Sequence, residues 1–238
     1  MNIKIIPTLA YLLILPLLLS LSHWQWQRAQ EKTQWLHDQE QAMNADVLDL
    51  NTLINDDWRA LRYRPIRAKG HYDSSHQFLI DNQISAGKPG YYVMTPFIFA
   101  NQPDTASNKA VLVNRGWLPL GQNRTVLPVL SVTEQQITIE GRINYFPSVG
   151  VKLAGAEQPT DTWPSVVQVV NSDILAKKLN YPLTTVQLEL DKRMSEGYKR
   201  EWQVSTLMRP EQHNAYALQW LGLALTLTFL YFWYSFKK

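Results

Sequence analysis

Five histidines carry most of the chemistry open to this chain, because it contains no cysteine. The lack of thiols excludes disulfides, thiolate metal sites, CxxC redox or copper chemistry and covalent c-type haem attachment. The histidines are His23, His37, His71, His76 and His213. His71 and His76 flank a short polar stretch with no acidic cluster at ligand spacing, so exposed side chains are a simpler reading than a metal pair. His37 sits in a polar helical stretch, where a solvated face is the default. No GxSxG, P-loop, GxGxxG or HExxH motif occurs, and a membrane-anchored hydrolase would lack its nucleophile–base set.

His213 has a different setting. Pro210 ends the preceding segment, and an apolar stretch begins a few residues later. At about 100° per residue, His213, Tyr216, Ala217 and Trp220 share one helical face, which puts an imidazole, a phenol and a large ring together. An ionisable residue at the edge of a membrane span is a functional suspect, yet His, Tyr and Trp also favour that depth as plain interfacial residues. Both readings stand at this point. His23 opens the domain at matching depth on the other side of the chain, so a two-histidine site is geometrically conceivable, with the same bland alternative. A helix N-terminus beside His213, with Arg28 and Arg209 near the same interface, suits an apolar anionic ligand. A macrocycle with propionates fits that description, and so do phospholipid headgroups. Arg62, Arg64, Arg67 and Lys69 form a further basic stretch, read as a charge-protected edge strand.

Two apolar stretches must position these residues. Ile5 to Leu21 is apolar apart from Thr8 and Ser20, and no charge appears until Arg28. Lys4 and Ser20-Leu21-Ser22 also suit a cleaved signal peptide, but the apolar run is long for one and Trp24, Trp26 and Arg28 follow as an interfacial anchor. A retained span is preferred. The second span, Tyr216 to Phe236, is closed by Lys237-Lys238, with aromatic residues at both ends. Lysines at the two termini predict both termini in the cytoplasm and the middle translocated. Removing Lys4, Lys237 and Lys238 from the 23 basic residues leaves 20 against 20 acidic ones. The middle is therefore neutral, and nucleic acid is not an expected partner.

Between the spans, Gln27 to about Asn51 has helix-forming composition, with a short second helix expected around Ala45 to Ile54. Strand patterns then follow at Pro65–Tyr72, Gln77–Asp81, Tyr91–Phe99, Ala110–Trp117, Gln136–Phe146 and Thr184–Leu190. Asp73-Ser74-Ser75 separates the first two at hairpin length. Ser172–Leu179 is predicted helical with Ser172 as N-cap, and Gln102–Asn108 and Ala156–Pro164 are expected loops. The predicted fold class is a membrane protein with two transmembrane helices flanking an α+β, mainly antiparallel β, barrel-like extracytoplasmic domain. Its predicted parts are a span over 1–22, a domain over 23–212, and a second span with a short tail over 213–238.

Three patches resemble the Surfeit locus protein 1 family. They are Trp24-Gln25-Trp26-Gln27-Arg28; Gly90-Tyr91-Tyr92-Val93-Met94-Thr95-Pro96-Phe97 followed by Val111-Leu112-Val113-Asn114-Arg115-Gly116-Trp117-Leu118-Pro119; and His213-Asn214-Ala215-Tyr216-Ala217-Leu218-Gln219-Trp220. The resemblance implies a non-enzymatic assembly factor for haem–copper (cytochrome c) oxidase in the inner (plasma) membrane. Its cargo would be haem a, with His213 ligating the haem iron. The implied binding set is His213, Tyr216, Trp220, Trp24 and Arg28, with Arg115 as a contact. The implied partners are the large oxidase subunit, haem a synthase and membrane lipid. A scaffold that stabilises an oxidase intermediate without touching haem is the alternative. His23 departs from the small or apolar residue expected before Trp24. Asn114-Arg115-Gly116-Trp117 reads physically as a strand ending in a tight turn, in which Arg115 buttresses the fold and Trp117 joins the core.

Overall fold

The computed structural model describes residues 5–52, 57–100, 110–148, 150–202 and 208–236. Lys4, Lys237 and Lys238, which carried the predicted orientation, and the predicted loop Gln102–Asn108 lie outside these residues. The chain divides into two compact units, Met1–Glu40 with Val204–Lys238, and Gln41–Gln203.

The first unit is built from the helices α1 (Ile5–Met43) and α3 (Pro210–Phe236). Both are long and apolar enough to cross a membrane, and their apolar stretches are almost wholly exposed. Leu9, Leu13 and Leu17 on α1 and Leu218, Leu225 and Phe229 on α3 form outward surfaces that suit lipid. Pro16 lies inside α1; the backbone bond it removes is tolerable in a membrane helix. Residues 23–40, expected in the domain, continue α1 and group with the helical unit.

Polar contacts join the two helices along their described length. Thr8 Oγ1 meets Tyr231 Oη at 3.0 Å, and Tyr11 Oη meets Thr228 Oγ1 at 3.3 Å. Ser22 Oγ donates to the Ala217 carbonyl at 2.8 Å, and His213 Nδ1 lies 2.7 Å from Gln25 Oε1. As the position on α1 climbs from Thr8 to Gln25, its partner descends from Tyr231 to His213 nearly residue for residue. Antiparallel helices of equal rise give that pattern. Tyr11 and Tyr231 stack with centroids 4.3 Å apart, and small Ala217 and Ala224 are buried on α3, which permits close helix approach.

The second unit holds β1 (Leu48–Asp49), β2 (Pro65–Tyr72), β3 (Phe78–Ser85), β4 (Lys88–Phe99), β5 (Ala110–Pro119), β6 (Ile137–Asn144), β7 (Ser165–Val167), the helix α2 (Ser172–Leu179) and β8 (Leu183–Leu190). Five strands close on themselves in the order β2–β6–β8–β5–β4 and back to β2. The ring is antiparallel except where β5 runs parallel to β8. β1, β3 and β7 extend the sheet beyond the ring. Inward residues alternate along the strands as a filled barrel requires, and Ile66, Ala68, Phe97, Val111, Val113, Ile139 and Leu188 share the barrel core. The alternate face of β5, Ala110 and Leu112, packs with Phe78, Leu175 and Leu179 beneath α2.

Four local expectations change. The basic stretch read as an edge strand runs into β2, which is paired with β6 and, on its other side, with β1 and β4. The segment expected as a second helix contains the two-residue strand β1, which pairs parallel with β2, while residues 53–56 are outside the described set. β2 and β3 do not form a hairpin across Asp73–Ser75: the end of β2 pairs with β4, Gly70 opposite Phe99. A Cβ on Gly70 would sit 2.0 Å from the Ile98 carbonyl oxygen, so this glycine permits the contact that closes the barrel. The N-cap of α2 is Asn171, not Ser172; its side chain accepts from the Asp173 and Ile174 N–H groups.

Candidate functional site

The start of α3 is fixed by its own sequence. Pro210 occupies the first turn, where its missing N–H costs nothing. Glu211 is the acidic residue of that turn, a sign favoured by the helix dipole. Gln212 Oε1 reaches back to accept the Arg209 N–H at 2.9 Å, the return half of a capping box. The His213 N–H then bonds the Arg209 carbonyl at 3.4 Å. These contacts set the rotation of the helix, and that rotation turns His213 onto α1.

His213 is 8% exposed. Because Gln25 Oε1 only accepts, this 2.7 Å contact calls for an Nδ1–H donor, and in the neutral imidazole Nε2 then carries the lone pair. Among the described residues Nε2 has no hydrogen-bond partner. An imidazole held at Nδ1 and open at Nε2 is the arrangement used by histidines that ligate metals.

The other predicted residues distribute around this point. Trp220 is half-buried and Tyr216 is 47% exposed; at about 100° per residue they flank His213 on one side of the seam. Asn214, Leu218 and Leu221 lie on the other side and line a groove of about 410 Å³ with Leu19, His23 and Trp26. His23 therefore faces a cavity whose lining does not include His213, and its ring lies 6.0 Å from that of Trp26. Arg28 donates to Glu31 at 2.8 Å on the exposed side of α1 and lies 5.8 Å above the Trp24 ring.

Arg115 belongs to the other unit and is 2% exposed. Its register explains the burial. Between Tyr92 and Met94 on β4 one residue opposes two on β5, Arg115 and Gly116, which makes a β-bulge rather than the expected terminal turn. Gly116 has φ +115°, and a Cβ there would lie 2.7 Å from the Lys199 carbonyl oxygen. The bulge directs the guanidinium into the domain. Nε donates to the Glu196 carbonyl (2.6 Å), Nη1 to Gln77 Oε1 (3.0 Å) and Thr95 Oγ1 (3.4 Å), and Nη2 to the Ser131 carbonyl (2.7 Å). Burial holds this guanidinium below the ordinary arginine range. Trp117 is 8% exposed and donates its indole N–H to the Gln83 carbonyl.

Gln25 and Ser22, which the sequence assigns no partner, complete the seam. The signal is two polar residues one turn apart on one helix face at the end of the apolar run, set among the further polar residues Ser20, His23 and Gln27. Only the antiparallel register names their partners. A second cleft, of about 520 Å³, lies within the domain between Tyr63, Arg142, Glu189, Arg200 and Trp202, where Arg142 Nε donates to Glu189 Oε2 at 2.6 Å. Among the described residues no group of three His, Cys, Asp or Glu side chains could hold a metal ion.

Fold and site together define a barrel domain whose sequence lies between those of two helices fit to cross a membrane, with an open imidazole nitrogen on the second. The chain belongs to the SURF1 family, whose model matches residues 12–225. It is 23% identical to a SURF1-like protein of Rickettsia felis, over 94% of each chain. It is 24% identical to Surfeit locus protein 1 of Arabidopsis thaliana, over 92% of this chain and 75% of that one. For Surfeit locus protein 1 of Rattus norvegicus the identity is 25%, over 89% and 70%.

Proposed function

We propose that this protein is a non-enzymatic assembly factor for haem–copper (cytochrome c) oxidase that binds haem a at the outer membrane interface and aids its insertion into the large oxidase subunit. Family membership and the motif resemblance support the class. The observation that carries the haem reading is His213, buried at the helix seam with Nδ1 held and Nε2 open.

In this reading Nε2 supplies the protein's single bond to the cargo iron. Trp220 and Tyr216 offer apolar faces beside it. Arg28 is the residue best placed on α1 to meet a propionate, since its exposed pair with Glu31 is worth little and exchanges at small cost. Trp24 holds that guanidinium at its depth through a cation–π contact. Arg115 has four donor contacts inside the domain, so it acts here as a buttress rather than a propionate partner. One axial ligand and open flanks suit a cargo that must leave. The lysines at both termini favour cytoplasmic ends and a translocated domain in the inner (plasma) membrane, with membrane lipid around the helices and haem a synthase as the source of cargo.

The full chain, purified after co-expression with the haem a biosynthetic enzymes, is expected to carry haem a absorption that His213→Ala loses. An unchanged spectrum in that variant would overturn the ligand assignment. Cross-linking of the wild-type chain to the large oxidase subunit with no haem bound would replace this reading with the scaffold.

A further inference from the structure

We propose that Gln25 is the positioning residue that selects the tautomer and the donor strength of His213. The inference rests on the reading of His213 as the axial ligand of an iron porphyrin.

Three observations converge on Gln25. Its Oε1 is 2.7 Å from His213 Nδ1, a short contact for a pair that carries no formal charge. The pair is half-buried on the α1 side and 8% exposed on the α3 side, so water competes little for the ring N–H. It also continues the contacts of Thr8, Tyr11 and Ser22 that pair the helices in one antiparallel register, which leaves the amide little freedom to move away.

The chemical consequence follows from the kind of acceptor. An imidazole ligates through the nitrogen that lacks the proton, so a proton held on Nδ1 by an acceptor keeps Nε2 ready. Metal-ligating histidines commonly donate that second N–H to a carboxylate or backbone carbonyl, and a stronger acceptor makes the ring a stronger donor to the metal. A side-chain amide is a neutral acceptor. It orients the ring as a carboxylate would, but it does not pull the proton away or build imidazolate character. Gln25 thus combines a fixed ring with moderate iron affinity, the combination needed to hold a haem and then surrender it.

The proposal divides two substitutions that look equally mild. Gln25→Leu keeps the volume and removes the acceptor, so the ring is free to rotate and to place its proton on either nitrogen. Gln25→Glu keeps the shape and the acceptor but strengthens it. The first measurement needs no haem: the full-length protein in detergent, carrying isotope-labelled histidine, reports the tautomer of each ring by nuclear magnetic resonance, with His213→Ala identifying the His213 signal. Wild type and Gln25→Glu are expected to show the Nδ1–H form, and Gln25→Leu a mixture. The second measurement titrates iron protoporphyrin IX into the same proteins. Gln25→Leu is expected to weaken binding about 10–100-fold, as loss of an orienting partner does at metal sites. Gln25→Glu is expected to bind at least as tightly as wild type, with a lower iron midpoint potential.

A Gln25→Leu protein with intact helix content, the wild-type tautomer and wild-type affinity overturns the inference. If that variant does not fold, a Gln25→Glu protein whose potential equals that of wild type overturns it instead. Binding that depends on His213 but ignores both Gln25 substitutions removes only the positioning role. A wild-type chain that takes up no iron protoporphyrin IX removes the haem reading, and the tuning role with it.

Discussion

Two buried polar clusters, one in each unit, make opposite use of the same kinds of side chain. In the barrel, Arg115 donates to Gln77, Thr95, Ser131 and Glu196, and Thr95 Oγ1 in turn donates to Gln77 Oε1 at 2.9 Å. That network closes on itself. In the helical unit, Gln25 satisfies one nitrogen of His213 and, among the described residues, the other is open. A closed network specifies a fold, since every member is held by the others and any loss strands a partner. An open position at the end of a held side chain is instead a place for a ligand. Burial alone does not separate the two, because both Arg115 and His213 are under 10% exposed.

The largest expected effect lies in the closed cluster. Arg115→Ala would leave the Ser131 and Glu196 carbonyls without this donor, the Gln77 amide oxygen with only its Thr95 donor, and Glu196 Oε2 without the guanidinium 3.8 Å away. The domain is expected to lose about 3–5 kcal/mol, the range for breaking a buried charge network by removing one partner. Chemical denaturation of the full-length protein in detergent, followed by tryptophan fluorescence, measures it. Arg115→Ala protein that keeps wild-type stability but loses haem would show that Arg115 serves the ligand and would dissolve the contrast between the clusters.

Tyr72 tests the same network at high pH. It is 2% exposed with its ring 5.7 Å from the Arg115 guanidinium, and among the described residues its hydroxyl has no hydrogen-bond partner. Burial pushes this phenol well above the ordinary tyrosine range. Above about pH 10 the unfolded chain releases the proton while the folded chain keeps it. The unfolded state then binds fewer protons, so stability falls as pH rises, by up to about 1.4 kcal/mol per pH unit from this residue. Tyr72→Phe is expected to remove that slope and to cost almost nothing at neutral pH, because no hydrogen bond is lost. Unfolding midpoints across the alkaline range decide it, and parallel pH profiles for the two proteins would contradict the assignment.

Much of the barrel is legible in the sequence. β2 and α2 match their predicted bounds, and six strand patterns lie on six of the ring and flanking strands, because alternation and β-branched runs are local signals. What was illegible depended on distant partners. β1 and β7 are two and three residues long, too short to show a period. The apparent hairpin at Asp73–Ser75 failed because Gly70 meets Phe99, a pairing set by barrel closure rather than by turn residues. The bulge at Arg115 required the opposing strand to count against. In the helical unit, His213 stood out by type and place, but Gln25 had no meaning until the antiparallel register set it opposite the histidine. Arg28 and Trp24 were visible as an anchor, and the structure keeps them together on the exposed side of α1.

The smallest expected effect concerns the seam itself. Ser22 Oγ donates to the Ala217 carbonyl at 2.8 Å, an oxygen that also serves the helix backbone, so removing the hydroxyl strands no acceptor. Hydrogen bonds between membrane helices average about 0.6 kcal/mol, and Ser22→Ala is expected to loosen helix association by no more than that. The contact lies one turn of α1 from Gln25 and one turn of α3 from His213. It therefore separates helix pairing from ligand orientation. If the open nitrogen matters and the seam merely carries it, Ser22→Ala retains the haem absorption and the Nδ1–H tautomer of His213, while thermal dissociation of the helix pair shifts slightly. Loss of haem in Ser22→Ala as complete as in His213→Ala would mean that tight helix pairing, and not the held imidazole, makes the site.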